Sequence, residues 1–192
     1  MVTVLVVIIA IILFLIVLIA VYIFNTQRKL VALDELCKNA MSQIAVQLNS
    51  RWDALLALAK TAAQYSKHES ETLIKVITAR RQAPIDTAEE ALQQQGELSQ
   101  IMGRLMAIGE AYPDLKANDL FSKTMDSVNS YEENVRMSRM VYNDTATKMN
   151  RMVRMWPSSF VAAMLNFREK AYLTVDEEKK SNYPNLDEAF GK

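Results

Sequence analysis

Five charged residues interrupt the apolar stripes of the predicted helices, at positions where hydrophobic side chains would otherwise repeat. These residues are Arg51, Glu69, Arg80, Glu132 and Arg139. Each lies on a stripe that recurs in steps of three and four residues, which is the side of a helix that faces its partners. Such charges can form a buried ion-pair layer that fixes helix register, or they can bind a charged partner or act as a switch. We favour the structural layer, because internal pairing needs no external ligand.

A basic strip repeats every third residue late in the chain, at Lys148, Arg151 and Arg154. It can contact phospholipid headgroups or an acidic partner, although an ordinary solvated helix face is the interpretation we favour. Methionines are concentrated in the same part of the chain. Met137 and Met140 lie outside the predicted core stripe. Two interpretations therefore stay open: the methionines fill the core, or they form an exposed face that binds a partner helix.

The composition argues against an enzyme. The chain has one His, one Cys and four Gly in 192 residues, and Lys+Arg and Asp+Glu both number 22. His68 lacks the further ligands that a metal site requires, and Cys37 lies on an apolar stripe as a small buried hydrophobe. The sequence contains none of the common phosphate-loop, zinc-protease or nucleophile-elbow motifs. We therefore expect no cofactor and no metal, and the zero net charge argues against a nucleic-acid partner.

The N-terminal region is apolar enough to cross a bilayer. Val2 to Phe24 contains no charged residue, and as a helix it would extend about 34 Å. A cleaved signal peptide would need a basic start, a shorter apolar core and a small-residue cleavage site, so we expect an uncleaved single-pass anchor. Arg28, Lys29 and Lys38 follow the anchor, which predicts that the rest of the chain is cytoplasmic and the N-terminus is outside.

The remaining elements are all predicted to be helical. The first proline is Pro84 and the first glycine is Gly96, so the first helix can continue unbroken from the anchor to about Tyr65. Asn118 is the predicted N-cap of a long helix whose apolar stripe runs from Phe121 to Trp156, where the helix should end. An amphipathic helical piece should follow over 159–173. The pattern predicts an all-α, up-and-down antiparallel bundle of about four long helices, with an anchor over 1–24, a bundle over 25–173 and a polar tail over 174–192.

Several segments, in this order, resemble the LemA family of bacterial membrane-anchored proteins. After the apolar anchor come Gln47-Leu48, Arg51-Trp52-Asp53, Tyr65-x-x-His68-Glu69, Leu73-x-x-Val76, Ala79-Arg80, Ala111-Tyr112-Pro113-Asp114-Leu115-Lys116-Ala117-Asn118, Phe121, Glu132, Arg139-x-x-Tyr142-Asn143 and Trp156-Pro157. The chain departs from the family after Asp53, where the family usually has Ile-Pro-Asn and this chain has Ala54-Leu55-Leu56-Ala57. The resemblance implies a bundle of about four helices that is anchored to a bacterial inner membrane. The charged residues of the family motifs are the same residues that interrupt the apolar stripes.

These observations together favour a non-enzymatic, membrane-tethered interaction or organising protein that self-assembles or binds another membrane or cytoplasmic protein. The resemblance adds a theme of membrane organisation, because one branch of the family comprises magnetosome membrane proteins. The alternative is a sensor or signalling accessory whose bundle binds a ligand and whose output requires a partner.

Overall fold

The computed structural model describes residues 2–81 and 83–174, and this part of the chain is helical without strands. Its helices are α1 (Val2–Ala62), α2 (Lys67–Arg80), α3 (Ala88–Ala111), α4 (Pro113–Lys116), α5 (Asp119–Arg154) and α6 (Ser158–Met164). The all-α prediction is confirmed, as is a first helix that continues without a break from the apolar segment. Gln82 and residues 175–192, which include almost all of the predicted polar tail, lie outside the described residues.

Local capping explains where the middle helices begin. Thr87 is the N-cap of α3, where its hydroxyl accepts a bond from the Glu90 amide and the Glu90 carboxylate accepts one from the Thr87 amide. This reciprocal capping box satisfies two amides that no helical carbonyl can reach. Asn118 caps α5 in a similar way, because its Oδ1 accepts from the amides of Leu120 and Phe121. The predicted N-cap at Asn118 is therefore confirmed.

The chain divides into two compact units. The first unit consists of the described residues of Met1–Met41 and Met140–Ala171, and the second consists of those of Ser42–Arg139 and Tyr172–Lys192. The first unit has a core in which Leu30, Met149, Val161 and Ala162 are buried. Ile23, Leu33, Met152, Val153, Leu165 and Phe167 pack around these four residues. This core joins α1, α5 and α6.

The second unit is a helical bundle in which neighbouring helices run in opposite directions. Asn134 lies 3.5 Å from Gln47, and Glu132 lies 3.3 Å from Arg51, so α1 and α5 are antiparallel here. The predicted stripe of α1 is buried at Ile44, Leu48, Leu55 and Leu58. Burial at this helical spacing removes apolar area from water and is the main stabilising contribution to such a bundle.

Two predictions at the end of the bundle are wrong. The helix predicted over 159–173 stops at Met164, because Asn166 adopts a left-handed conformation with φ of 59°. The Phe167 amide then bonds to the Ala162 carbonyl and the Asn166 amide bonds to the Ala163 carbonyl, which is the Schellman arrangement that terminates helices. Trp156, predicted to end the buried stripe of α5, is 84% exposed because α5 already stops at Arg154.

Candidate functional site

The apolar half of α1 has the properties of a membrane span. In the part of the chain that the structure describes, α1 is the one helix that is long and apolar enough to cross a bilayer, and its most apolar stretch is entirely unburied. At its exit, the Arg28 guanidinium lies 5.8 Å from the centre of the Phe24 ring. An aromatic ring beside a cation is typical of the boundary between hydrocarbon and headgroups.

Arg51 and Glu132 are the two predicted stripe charges that the structure brings together. Arg51 is 1% exposed, and its Nη2 donates to Glu132 Oε2 at 3.3 Å, whereas the Glu132 side chain is 55% exposed. Nε and Nη1 of Arg51 are buried without a partner. Burial lowers the pKa of the Arg51 guanidinium, and the Glu132 carboxylate acts in the opposite direction. The pair therefore joins α1 to α5 at the edge of the core.

The other three stripe charges lie apart from this pair, so the prediction of one buried and mutually paired layer is wrong. Arg80 forms an ion pair with Glu97 at 3.2 Å and is half exposed. Glu69 is exposed and accepts a bond from the Ser66 hydroxyl at the start of α2. Both residues are close to helix ends, where a charged side chain can reach water from a position on the stripe.

Arg139 is half-buried, and the two partners described for it are neutral oxygens. Nη1 donates to Gln95 Oε1 at 2.9 Å and Nη2 donates to the Leu173 carbonyl at 3.3 Å. Burial lowers the pKa of this guanidinium. Arg139 therefore connects α5 to α3 and to the chain that follows α6, rather than to a carboxylate of the predicted layer.

A buried amide that the stripe analysis did not single out joins α1 to α3. Gln94 accepts the indole N–H of Trp52 at 2.8 Å and donates to the Ala83 carbonyl at 3.1 Å. Trp52 is fully buried and Gln94 is 5% exposed. The sequence carried a signal for this contact, because Gln94 lies four residues before Leu98 on the buried face of α3.

Asn150 is a second polar residue that the sequence analysis did not single out, and it holds the chain that follows α6 against α5 within the first unit. Asn150 donates to the Lys170 carbonyl at 2.9 Å and accepts from the Lys170 amide at 2.7 Å. The Lys170 ammonium lies 2.6 Å from Asp34, and the Tyr142 hydroxyl donates to the Ala171 carbonyl at 3.0 Å. We name Asp34, Tyr142, Asn150 and Lys170 the clasp. It depends on an extended segment that was predicted to be helical, so its geometry had no signature in the sequence.

The basic strip is largely engaged in ion pairs. Lys148 pairs with Asp144 at 2.7 Å, and Arg154 pairs with Glu169 at 2.6 Å. Arg151 is exposed in the last turn of α5, where a cation interacts favourably with the helix dipole. Met137 and Met140, predicted to lie off the core stripe, are 51% and 58% exposed.

The two remaining chemically capable residues, Cys37 and His68, belong to different units. Cys37 is buried, and burial raises the pKa of its thiol, which disfavours the thiolate that reacts as a nucleophile. His68 lines a cleft of about 560 Å³ in the second unit together with Glu69 of α2 and Arg104 of α3. Its floor is apolar and includes Leu73 and Ile108. Among the described residues, no group of three His, Cys, Asp or Glu side chains is arranged to hold a metal ion.

One known protein family has a sequence model that matches most of this chain. A family model described as the LemA family matches residues 40–187. The chain belongs to the LemA family. The match begins in the middle of α1, so it includes every charged stripe residue and begins after the apolar segment of α1.

Known LemA-like relatives are distant in sequence. The chain is 26% identical over 139 residues to Magnetosome protein MamQ 1 of Paramagnetospirillum magneticum, covering 61% of this chain and 51% of the relative, and to MamQ of Magnetospirillum gryphiswaldense with the same identity and coverage. The chain thus spans about half the length of these relatives. It is also 26% identical over 142 residues to Protein LemA of Metamycoplasma hominis, covering 73% of this chain and 65% of the relative.

The most specific LemA-like segment, residues 111–118, forms the connection between α3 and α5. Tyr112 ends α3, Pro113 opens α4 at a position where its missing N–H costs nothing, and Leu115 is fully buried. Asn118 then caps α5. This segment is accounted for by the turn that it builds, and a catalytic role is not needed to explain it.

Proposed function

We propose that this LemA-family chain crosses the bacterial inner membrane once and acts without catalysis as a self-assembling interaction or membrane-organising protein. One observation carries the proposal: a single unbroken helix, α1, has an unburied apolar half and then supplies the buried residues Leu30 and Cys37 to a folded core. We would not expect a signal peptide that is cleaved off to form one continuous helix with residues of the folded core. The anchor is therefore part of the working protein.

The positive charges at the exit of the anchor favour a cytoplasmic bundle. Arg28 and Lys29 follow Phe24, the end of the apolar segment, by four and five residues. Arg151 of the basic strip is an exposed candidate for contact with anionic headgroups. Fusions of alkaline phosphatase and of green fluorescent protein after Lys192 test this orientation. A cytoplasmic C-terminus gives fluorescence without phosphatase activity, and the reverse result contradicts it.

Two observations support a structural rather than catalytic function for the charged stripe residues. Arg51 is paired with Glu132 and Arg80 with Glu97, so each of these guanidinium groups is neutralised within the chain. The most specific family segment, residues 111–118, is likewise accounted for by the turn that it builds between α3 and α5. We propose that Arg51, Glu69, Arg80, Glu132 and Arg139 stabilise the bundle.

Crosslinking in intact cells tests self-assembly. The full chain carries a tag after Lys192, and a chain that begins at Asn25 serves as the control without the anchor. We expect the anchored chain to be captured mainly with itself in defined multiples. Recovery of the anchored chain as a monomer contradicts self-assembly, and stoichiometric recovery of one other protein replaces it with an adaptor role.

A ligand-sensing accessory is the second candidate, favoured by the cleft that His68, Glu69 and Arg104 line in the second unit. Its apolar floor and its cationic and anionic rim suit a small zwitterionic or anionic ligand. Thermal shift measurements with amino acids and small carboxylates test this candidate. A ligand that raises the thermal midpoint of the wild type should no longer raise it in Arg104→Ala. Lys75→Ala is the control and should keep the shift, because Lys75 is an exposed cation of α2 that does not line the cleft.

A further inference from the structure

The corner between α5 and α6 presents large apolar side chains to its surroundings. Trp156 is 84% exposed and Phe160 is 68% exposed, with Met155 and Met164 also more than half exposed. Phe160 and Met164 are one helical turn apart and point outward, whereas Val161 between them is buried in the core of the first unit. Contiguous apolar surface of this kind marks a site that binds a membrane or a partner.

This apolar corner lies directly against the membrane-spanning part of α1. Trp156, Pro157 and Phe160 line a groove whose other wall is the end of the apolar segment. That wall consists of Leu18, Ile19, Tyr22 and Ile23. The groove belongs entirely to the first unit, so the exposed corner is continuous with the surface that the anchor offers to lipid.

The position of the groove along α1 sets its depth. Leu18 precedes Arg28 by ten residues, which is a rise of about 15 Å in a helix. The headgroup layer of one leaflet is only about 5–8 Å thick. When Arg28, the first cation after the span, lies at the aqueous surface, Leu18 lies deeper than the headgroup layer and therefore within the hydrocarbon. Trp156 and Phe160 share a groove with Leu18, so they reach the boundary of the hydrocarbon.

The charge pattern around the corner matches this position. The sequence has no charged residue from Met155 to Phe167, and arginines stand at both ends, Arg154 and Arg168. Both arginines are exposed, and Arg154 is paired with Glu169. A tryptophan at the boundary with arginines at the headgroup level is the usual composition of an element that lies in a membrane interface.

We propose that residues 155–164 form a second membrane-contacting element, which inserts Trp156 and Phe160 beside α1 into the leaflet where the anchor ends, with phospholipid acyl chains as the occupant of the groove. The inference rests on the proposed membrane crossing by α1. Its effect would be to attach the first unit to the bilayer at two points, the spanning helix and the α5–α6 corner.

Tryptophan quenching in vesicles tests this element, because the two tryptophans of the chain report on different sites. The full-length protein is reconstituted into phosphatidylcholine–phosphatidylglycerol vesicles with or without brominated acyl chains. Trp52→Phe leaves only Trp156 at the corner, and Trp156→Phe leaves only Trp52, which is fully buried in the second unit. We expect brominated lipid to remove most of the emission of Trp52→Phe and little of that of Trp156→Phe, and aqueous iodide to quench neither strongly.

Each contrary result identifies its cause. Strong iodide quenching of Trp52→Phe places the corner in water and overturns the proposal. Protection from both quenchers shows that protein, such as a second copy of the chain, covers the groove, and this also overturns it. If the protein fails to float with the vesicles, the membrane crossing itself is wrong. Flotation without lipid quenching leaves the crossing intact and rejects only the second contact.

Discussion

Arg51 and Glu132 form an ion pair in which one partner is buried and the other reaches water. The guanidinium is 1% exposed and the carboxylate is 55% exposed, with 3.3 Å between Arg51 Nη2 and Glu132 Oε2. The arginine has therefore lost its hydration and depends on this one carboxylate, because its other two nitrogens are buried without a partner. The carboxylate loses much less if the pair is broken, so the two residues should respond differently to substitution.

Glu132→Ala should destabilise the second unit, because it leaves the buried Arg51 guanidinium without a carboxylate. We expect a loss of about 1–3 kcal/mol in the free energy of unfolding, the range for a buried donor that loses its partner. Arg51→Met fills similar space without a charge and should cost less than Glu132→Ala. Chemical unfolding of the full chain in detergent measures both. Equal costs for the two variants would contradict this account of the pair.

Asp34 should make the first unit sensitive to acid. Its hydrogen bond from Lys170 is the largest cause that holds the pKa of the Asp34 carboxyl below its ordinary value of 3.8. A carboxyl whose pKa is lower in the folded state than in the unfolded state stabilises the fold at any pH above its unfolded-state pKa. That contribution disappears as the pH falls through its folded-state pKa. We expect Asp34→Asn to lower the thermal midpoint at neutral pH and to remove part of the fall in midpoint that the wild type shows below about pH 4. Parallel curves for both proteins would exclude this contribution.

Asn150→Ala should loosen the clasp without unfolding the helices. Asn150 forms two hydrogen bonds with the backbone of Lys170, and in one of them the Lys170 amide donates to Asn150 Oδ1. Loss of the two bonds should speed hydrogen exchange at the Lys170 amide by at least tenfold, which corresponds to about 1.4 kcal/mol of local stability. Thr147→Ala is the matched control, since that hydroxyl bonds only within α5 to the Asn143 carbonyl. Exchange at Lys170 that is the same in both variants would show that other contacts hold the segment.

Gln94→Leu should change the environment of Trp52. The substitution removes the acceptor of the indole N–H, which lies 2.8 Å from Gln94 Oε1 in the core. A buried donor left unpaired costs about 1–3 kcal/mol, and the Trp52 emission should shift when its hydrogen bond is lost. Gln93→Leu, at an exposed position of the same helix, should change neither quantity. Fluorescence in a Trp156→Phe background reads Trp52 alone, and an unaltered spectrum would count against the bond.

Two glycines of α3 offer a paired test of helix packing. A Cβ at Gly103 would meet no atom within 4 Å, whereas one at Gly109 would lie 3.3 Å from the Phe121 ring. Gly103→Ala should therefore gain up to about 1 kcal/mol from helix propensity. Gly109→Ala should gain less or lose stability, because the buried ring of Phe121 must shift. Thermal midpoints of the two variants give the comparison, and a larger gain at Gly109 would contradict the close contact.

Periodicity predicted the core where the helices are long. Leu48, Leu55 and Val128 are buried as expected, because the 3.6-residue period alone determines which side of a helix faces its neighbours. The same reasoning failed at Trp156, where the stripe was continued past the actual end of α5. Asparagine tolerates a left-handed conformation but does not require one, so the end of α6 at Asn166 and the extended segment after it were missed.

The partners of the charged stripe residues could not be predicted from their positions on the stripes. A position on a stripe shows that a side chain faces inward, but it does not show the depth at which a long side chain ends. Arg51 lies about three helical turns before the end of α1 and is buried, whereas Arg80 is the last residue of α2 and reaches water. Asp34 and Lys170 are far apart in sequence, and the ion pair between them follows only from the path of the chain after Asn166.

The first unit is assembled from the two ends of the described chain, and this has a consequence for synthesis on the ribosome. Leu30 packs in a core with Val161, which is added 131 residues later. At about 5–20 residues per second, Val161 follows Leu30 after roughly 7–26 s. During this interval the anchor can already have entered the membrane while Leu30 and Asp34 still lack their partners. Completion of the first unit is therefore a late event in biogenesis, which requires the chain to have emerged at least as far as Ala171.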